Sequence, residues 1–211
     1  MKNIILIAPP AAGKGTQSKL ICDKYNLAHI STGDILRERA KKDENLSKML
    51  KSGNLIDDTI MAELVCDRLK QDDCKQGFIL DGFPRSIKQA ELLSSMNIII
   101  DYVFYLNTNK ETLIKRMNGR ISCPQCGNVY NKEIEELRPK VDGYCNDCNI
   151  PLIKREDDNE VSFNSRYENY MSTTFPLVDY YKNKSVLYEI NSDDKIETFN
   201  KICKVLNGDV W

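Results

Sequence analysis

Apolar positions along this chain fall into two rhythms. Short runs, NIILI at 3 to 7, LAHIST at 27 to 32, GFILD at 77 to 81, IIIDYVFYL at 98 to 106 and SVLYEI at 185 to 190, read as strands, and the most continuous of them as strands buried on both faces. Between them the period lengthens to that of a helix. The pattern predicts helices from Lys14 to Tyr25 (Leu20 and Ile21 on one face), over 33 to 42 and over 45 to 52. A further helix, capped by Asp57 or Asp58, sets Ile60, Leu64, Val65 and Leu69 at helical spacing. Others run through Gln89, Ala90 and Leu93, over 110 to 118, over 160 to 182 and over 194 to 206. Strands alternating with helices in this order predict an α/β fold, a doubly wound parallel sheet.

Residues 119 to 158 break the rhythm. They carry four cysteines in two tight pairs, three of the seven prolines and little periodicity, and so read as an inserted minidomain. The core is then 1 to 118 with 159 to 211, a size that suits one substantial core plus an insert.

Charge narrows the partners. Thirty Lys and Arg against 31 Asp and Glu leave a net charge of −1, which gives no global field toward nucleic acid or an acidic membrane. No segment approaches the roughly 20 apolar residues of a membrane span. The N-terminus passes from one lysine straight into a strand without a cleavage-site pattern, so a cytoplasmic protein is expected. Cys22, Cys66, Cys74 and Cys203 stand singly in helical segments and read as small buried hydrophobes.

Behind the first strand comes APPAAGKGTQ, residues 8 to 17. Its Gly13, Lys14 and Thr16 suit a phosphate-binding loop, in which backbone amides and the N-terminus of the next helix close around phosphate oxygens. Ala8 and Ala11 occupy positions where glycine is usual, and both are expected at negative φ. Gly13 and Gly15, which flank the lysine, are expected to be the glycines this loop cannot give up. A second motif, FILDGFPR, ends a strand in Asp81 and turns to Arg85; a carboxylate placed there typically serves Mg²⁺ or its water shell.

Together with STGDILR (31 to 37), DGFPRSIKQ (81 to 89), MNGR (117 to 120) and REDD (155 to 158), these motifs resemble the adenylate kinases in order and spacing over essentially the whole chain. The resemblance implies the fold of a P-loop nucleoside monophosphate kinase and a long-form, zinc-binding lid. It implies Mg²⁺-dependent transfer from ATP to AMP giving two ADP. It assigns Ala11, Ala12, Gly13, Lys14, Gly15, Thr16, Arg116, Arg120, Val129, Tyr130 and the backbone near Asp194 to ATP. To AMP it assigns Thr32, Arg37, Asn54, Leu55, Ile56, Gly82, Arg85 and Gln89, within a 31 to 56 segment and the Asp81 turn, together with Arg155 and Arg166. Lys14, Arg85, Arg120, Arg155 and Arg166 would act on the transferring group, Thr16 and Asp81 on Mg²⁺, and Asp157 and Asp158 as lid carboxylates. His29 reads as structural. The family's monomeric habit is carried over with the rest.

Arginine usage agrees. The chain holds 21 Lys to 9 Arg, yet Arg37, Arg85, Arg116, Arg120, Arg155 and Arg166 fall on those motifs. Bidentate recognition of a phosphoryl group needs guanidinium, so arginine in a lysine-rich chain marks geometric demand. Arg39, Arg68 and Arg138 read as surface charges.

Cys123, Cys126, Cys145 and Cys148 form C-x2-C, 18 residues, C-x2-C, the spacing of a closed structural zinc site. Two rivals remain. A pyrimidine nucleoside monophosphate kinase is disfavoured by Thr32 and Gln89 within the resemblance. A zinc-ribbon nucleic-acid binder is disfavoured by Glu133, Glu135, Glu136, Asp142 and Asp147 around the cysteines. Neither a nucleic acid nor a membrane partner is expected.

Overall fold

The computed structural model describes residues 1–41, 43–44, 57–154 and 158–209, the side chains of Asp34 and Arg37 excepted. Five strands, β1 (Lys2–Ile7), β2 (Ala28–Ser31), β3 (Gly77–Asp81), β4 (Tyr102–Asn107) and β7 (Leu187–Asn191), form one sheet in the order β2-β3-β1-β4-β7. Every pairing is parallel. The central strand shows why its sequence is unbroken. Ile5 and Ile7 enter one buried cluster with Leu80, Val103 and Leu177, while Ile4 and Leu6 enter another with Ile21, Ile79, Phe104 and Ile202. Each fully buried isoleucine contributes roughly 1.5 to 3 kcal/mol of transfer free energy.

Helices cover both faces: α1 (Lys14–Tyr25), α2 (Thr32–Ala40), α3 (Asp58–Leu69), α4 (Ile87–Ser95), α5 (Lys110–Asn118), α6 (Glu160–Asn169), α7 (Leu177–Asn183) and α8 (Lys195–Asn207). Their starts are written locally. Asp57, Ser86, Asn109, Asn159 and Asp194 each accept a backbone N–H of the first turn beyond them.

Departures from expectation have local causes. The 160 to 182 helix is two helices. A π turn over Tyr170–Thr174 and then Pro176, which has no N–H to donate, separate α6 from α7. Ile98 and Ile100 are partly buried against the core but precede β4 rather than extend it. On α3 the buried stripe is Ala62, Val65 and Cys66, and Ile60 faces out. Arg68 is no plain surface charge: its fork grips Asp73 at 2.8 and 2.6 Å. The four single cysteines are buried, as expected. The helix expected over 45 to 52 lies outside the described residues.

Strand register brings the chemistry to one edge. Leu6 and Ser31 both pair with Asp81, so the β1 loop, the start of α2 and the β3 turn emerge side by side at the carboxyl end of the sheet. There the strand order reverses direction, which is where open α/β sheets bind ligands. Between α5 and α6 the chain forms a short antiparallel pair, β5 (Arg120–Ser122) and β6 (Val129–Asn131), with its own cluster of Ile121, Cys123, Tyr130 and Cys145.

Candidate active site

The loop from β1 to α1 ends on Gly13 at φ 88, the N-cap of α1, which offers no side-chain cap. A Cβ there would enter the left-handed region at a cost of roughly 1 to 2 kcal/mol. The first turn holds no acidic residue, so the helix N-terminus keeps its partial positive charge. Two expectations need correction. Ala11 lies at φ 65, in the left-handed region, whereas Ala8 stays outside it. Ala12 is buried with Leu113, Met117 and Phe163, and Ala8 and Ala11 pack against the same cluster, a burial that offsets part of the cost at Ala11. Gly15 sits in α1 without a positive φ, and a Cβ on it would stand 3.9 Å from Asp81 Oδ2, an ordinary contact. The protein itself therefore does not require glycine at 15.

Asp81, at the end of β3, joins the loop. Its Oδ1 meets Lys14 Nζ at 3.0 Å and its Oδ2 meets His29 Nε2 at 3.2 Å. Burial alone would raise this carboxyl, but the His29 hydrogen bond and the Lys14 charge outweigh it and hold the pKa at about 2. Asp81 is thus a carboxylate at every working pH. His29, on β2, is structural in that it orients this group.

Beyond Asp81 the chain turns through Gly82 at φ 89, where a Cβ would come within 2.9 Å of Thr32 Oγ1 and 3.0 Å of an Arg85 terminal nitrogen. Thr32 is buried, and its hydroxyl donates to the Gly82 carbonyl at 3.3 Å. Arg85 Nε donates to the same carbonyl at 2.9 Å. The Arg85 backbone N–H donates to Gln89 Oε1, and Gln89 Nε2 donates to Asp58 Oδ1, both at 2.7 Å. Thr32, Gly82, Arg85 and Gln89 therefore stand as one connected wall. Sequence reasoning missed Asp58, since nothing in a spacing of 31 residues announces the pair.

Arg116 and Arg120 also hold partners within the chain. Arg116 donates to Ala12 O (3.2 Å), Ser192 O (2.7 Å) and Asp193 O (2.8 Å), tying the loop to the turn before α8, and its burial lowers its pKa. Its own carbonyl accepts Asn131 Nδ2 at 2.9 Å, so the root of the insert meets the same residue. Arg120 forms a bidentate ion pair with Asp158, whose carboxylate is fully buried. Asp194 caps α8. Arg166 lies on α6, one turn after Phe163, which packs in the loop's cluster. Asn54, Leu55, Ile56, Arg155, Asp157 and the Arg37 side chain lie outside the described residues.

The thiols of Cys123, Cys126, Cys145 and Cys148 all lie within 4.8 Å of one another. Four sulfurs at about 2.3 Å around a tetrahedral zinc stand roughly 3.8 Å apart, so the quartet is compatible with that ion. Backbone N–H groups of Cys126 and Cys148 approach the sulfurs of Cys123 and Cys145 at 3.5 Å, as in a thiolate-presenting turn. The Tyr130 hydroxyl lies 3.5 Å from Cys145 Sγ and accepts the Asn146 N–H at 2.9 Å. Tyr130 thus points into the insert's core, and of the Val129 and Tyr130 pair it is the Val129 side chain that is exposed.

A sequence-family model described as Adenylate kinase matches residues 6–186. An adenylate kinase of Fervidobacterium nodosum is 44% identical over 215 residues, covering 98% of this chain and 98% of its own. One of Clostridium tetani is 43% identical over 215 residues (98% and 99%), and one of Kosmotoga olearia 44% over 203 residues (92% and 94%).

Proposed function

The chain belongs to the adenylate kinase family and transfers a phosphoryl group reversibly from ATP to AMP to give two ADP; on that premise we propose how its residues divide the work. The observation that carries the reading is the meeting of Lys14, Asp81 and the uncapped start of α1 at one sheet edge, beside the Thr32, Gly82, Arg85 and Gln89 wall.

Phosphoryl transfer asks a protein for positioning and charge neutralisation more than for covalent chemistry. The amides of 11 to 16 and Lys14 receive the ATP phosphates. Lys14 exchanges its contact with Asp81 for phosphate oxygens, and Asp81, oriented by His29, would with Thr16 hold the metal that accompanies ATP. When bound with ATP, Mg²⁺ would be held beside Asp81 and Thr16 and would supply neutralisation of phosphate charge. Arg116, already committed to three carbonyls, fixes the loop and the turn before α8 as two sides of the adenosine site, with Val129 and the backbone at Asp194 at its margin.

AMP occupies the wall, with Gln89 at the base edge and Arg85, Arg37 and the backbone of Asn54, Leu55 and Ile56 around its phosphate. Arg120, Arg155 and Arg166 close from the other side. Arg120 is poised against Asp158 and is released toward the phosphates as residues 119 to 158 shut as a lid. Closure keeps water from the transferring group.

Zinc in the cysteine quartet is structural in this reading, since four thiolates leave no open position. Eight cysteines, none joined in a disulfide among the described residues, suit a reducing, cytoplasmic compartment. Both nucleotide sites fit within one chain, which suits a monomer with neither nucleic acid nor membrane as partner. Among the described residues no helix is long and apolar enough to cross a membrane.

The test is a coupled assay with ATP and Mg²⁺ across AMP, GMP, CMP and UMP. AMP is expected to lead in kcat/KM, and a preference for UMP would overturn the assignment of the acceptor wall.

A further inference from the structure

Gln89 is a reader with a reversible face. A glutamine amide rotated by half a turn exchanges donor for acceptor, and adenine and guanine differ in that same sense. Adenine presents an amino donor beside the N1 acceptor, while guanine presents a carbonyl acceptor beside an N1–H donor. A free glutamine can answer either base.

Here the amide is not free to turn. Its Oε1 faces the Arg85 backbone N–H, which can only donate, and its Nε2 faces the Asp58 carboxylate, which can only accept, both at 2.7 Å. Rotation would set NH₂ against N–H and carbonyl against carboxylate, two repulsive contacts in a partly buried place. The two restraints have different origins. Arg85 belongs to Gln89's own turn, and Ser86 caps the same helix by accepting the Gln89 N–H at 3.2 Å. Asp58 comes from the first turn of α3, which is itself capped by Asp57. With both restraints satisfied, one lone pair on Oε1 and one hydrogen on Nε2 remain, an acceptor beside a donor in fixed order.

We propose that Asp58 is a positioning residue for acceptor choice: by locking the Gln89 amide it makes the site accept an adenine edge and refuse a guanine edge. It touches no reacting atom. The inference rests on the reading of Gln89 as the base reader, and the test separates the two.

The readout is kcat/KM for AMP divided by that for GMP, with KM for ATP as an internal control. Gln89→Leu should lower the ratio at least about tenfold; an unchanged ratio would remove the reading of Gln89 and this inference with it. Asp58→Leu should lower the ratio about tenfold, chiefly through KM for the monophosphates and with KM for ATP unmoved. Asp58→Ser, too short to reach Gln89 yet suited to a helix's first turn, should do the same if the leucine variant folds poorly. Asp58→Asn, whose carbonyl still accepts from Nε2, should keep the ratio within about twofold. Adding Asp58→Leu to Gln89→Leu should change the ratio no further. If Gln89→Leu collapses the ratio and neither Asp58→Leu nor Asp58→Ser moves it, the lock is refuted while the reader stands. An Asp58→Asn variant as unselective as Asp58→Leu would also refute it, by pointing to the charge rather than the acceptor.

Discussion

Ala8 and Ala11 allow the cost of a left-handed alanine to be isolated. Both are partly buried and both pack against the Leu113, Met117 and Phe163 cluster, but only Ala11 has a positive φ, at 65. Changing either to glycine frees the unfolded chain by the same amount, costing roughly 0.5 to 1 kcal/mol. Each change also removes a methyl worth at most about 0.8 kcal/mol. Only Ala11→Gly relieves strain, by roughly 1 to 2 kcal/mol. Ala8→Gly should therefore destabilise the chain by about 1 kcal/mol or somewhat more, whereas Ala11→Gly should be close to neutral, with a gap of roughly 1 to 2 kcal/mol between them. For a chain of this size the gap corresponds to about 2 to 8 °C in Tm. Urea unfolding without nucleotide would read it, with equal m-values as the condition for comparison. Variants within about 0.5 kcal/mol of each other would refute the claim that Ala11 carries backbone strain.

Three further outcomes can be stated. Arg85→Lys keeps the charge and loses the fork, and should cut turnover by at least ~10²; near-normal turnover in the nucleotide assay would cancel its role at the phosphate. Elemental analysis should find one zinc per chain, and Cys148→Ser should lose the metal and open residues 119 to 158 to protease while the sheet core persists; a metal-free protein with an intact insert would contradict the structural role. For Asp81, whose pKa is lowered from 3.8 to about 2 on folding, the stabilisation is present above about pH 4 and fades as pH falls toward 2. The unfolding free-energy difference between the natural chain and Asp81→Asn should therefore shrink by about 1.5 kcal/mol from pH 5 to 2.5, and a constant difference would show that Lys14 and His29 do not hold the carboxylate.

The sheet was legible because burial on both faces leaves an unmistakable trace: NIILI and GFILD could hardly be anything else once helices were seen to separate them. The nearness of Asp81 to the β1 loop then follows from parallel register alone. What could not be read were facts decided at long range. Spacing marks Ile60 as apolar but does not say which stripe of α3 faces the core, and packing chose the smaller Ala62. No local rule assigns φ to Ala11, because a helix pair from the far side of the chain compensates it. The bonds from Gln89 to Asp58 and from Arg116 to three carbonyls join residues that meet only after folding. The break at Pro176 was the exception: the proline was in plain view and should have divided the 160 to 182 helix.

Arg116 has an implication for exchanging parts between relatives. One residue holds the loop after β1 through Ala12, the C-terminal turn through Ser192 and Asp193, and the β5–β6 segment through Asn131. A transplanted lid must therefore arrive with a donor that finds the carbonyl of residue 116. A graft without that donor would leave its root unanchored at the place where the loop after β1 is braced, however well its own cysteine cluster folded.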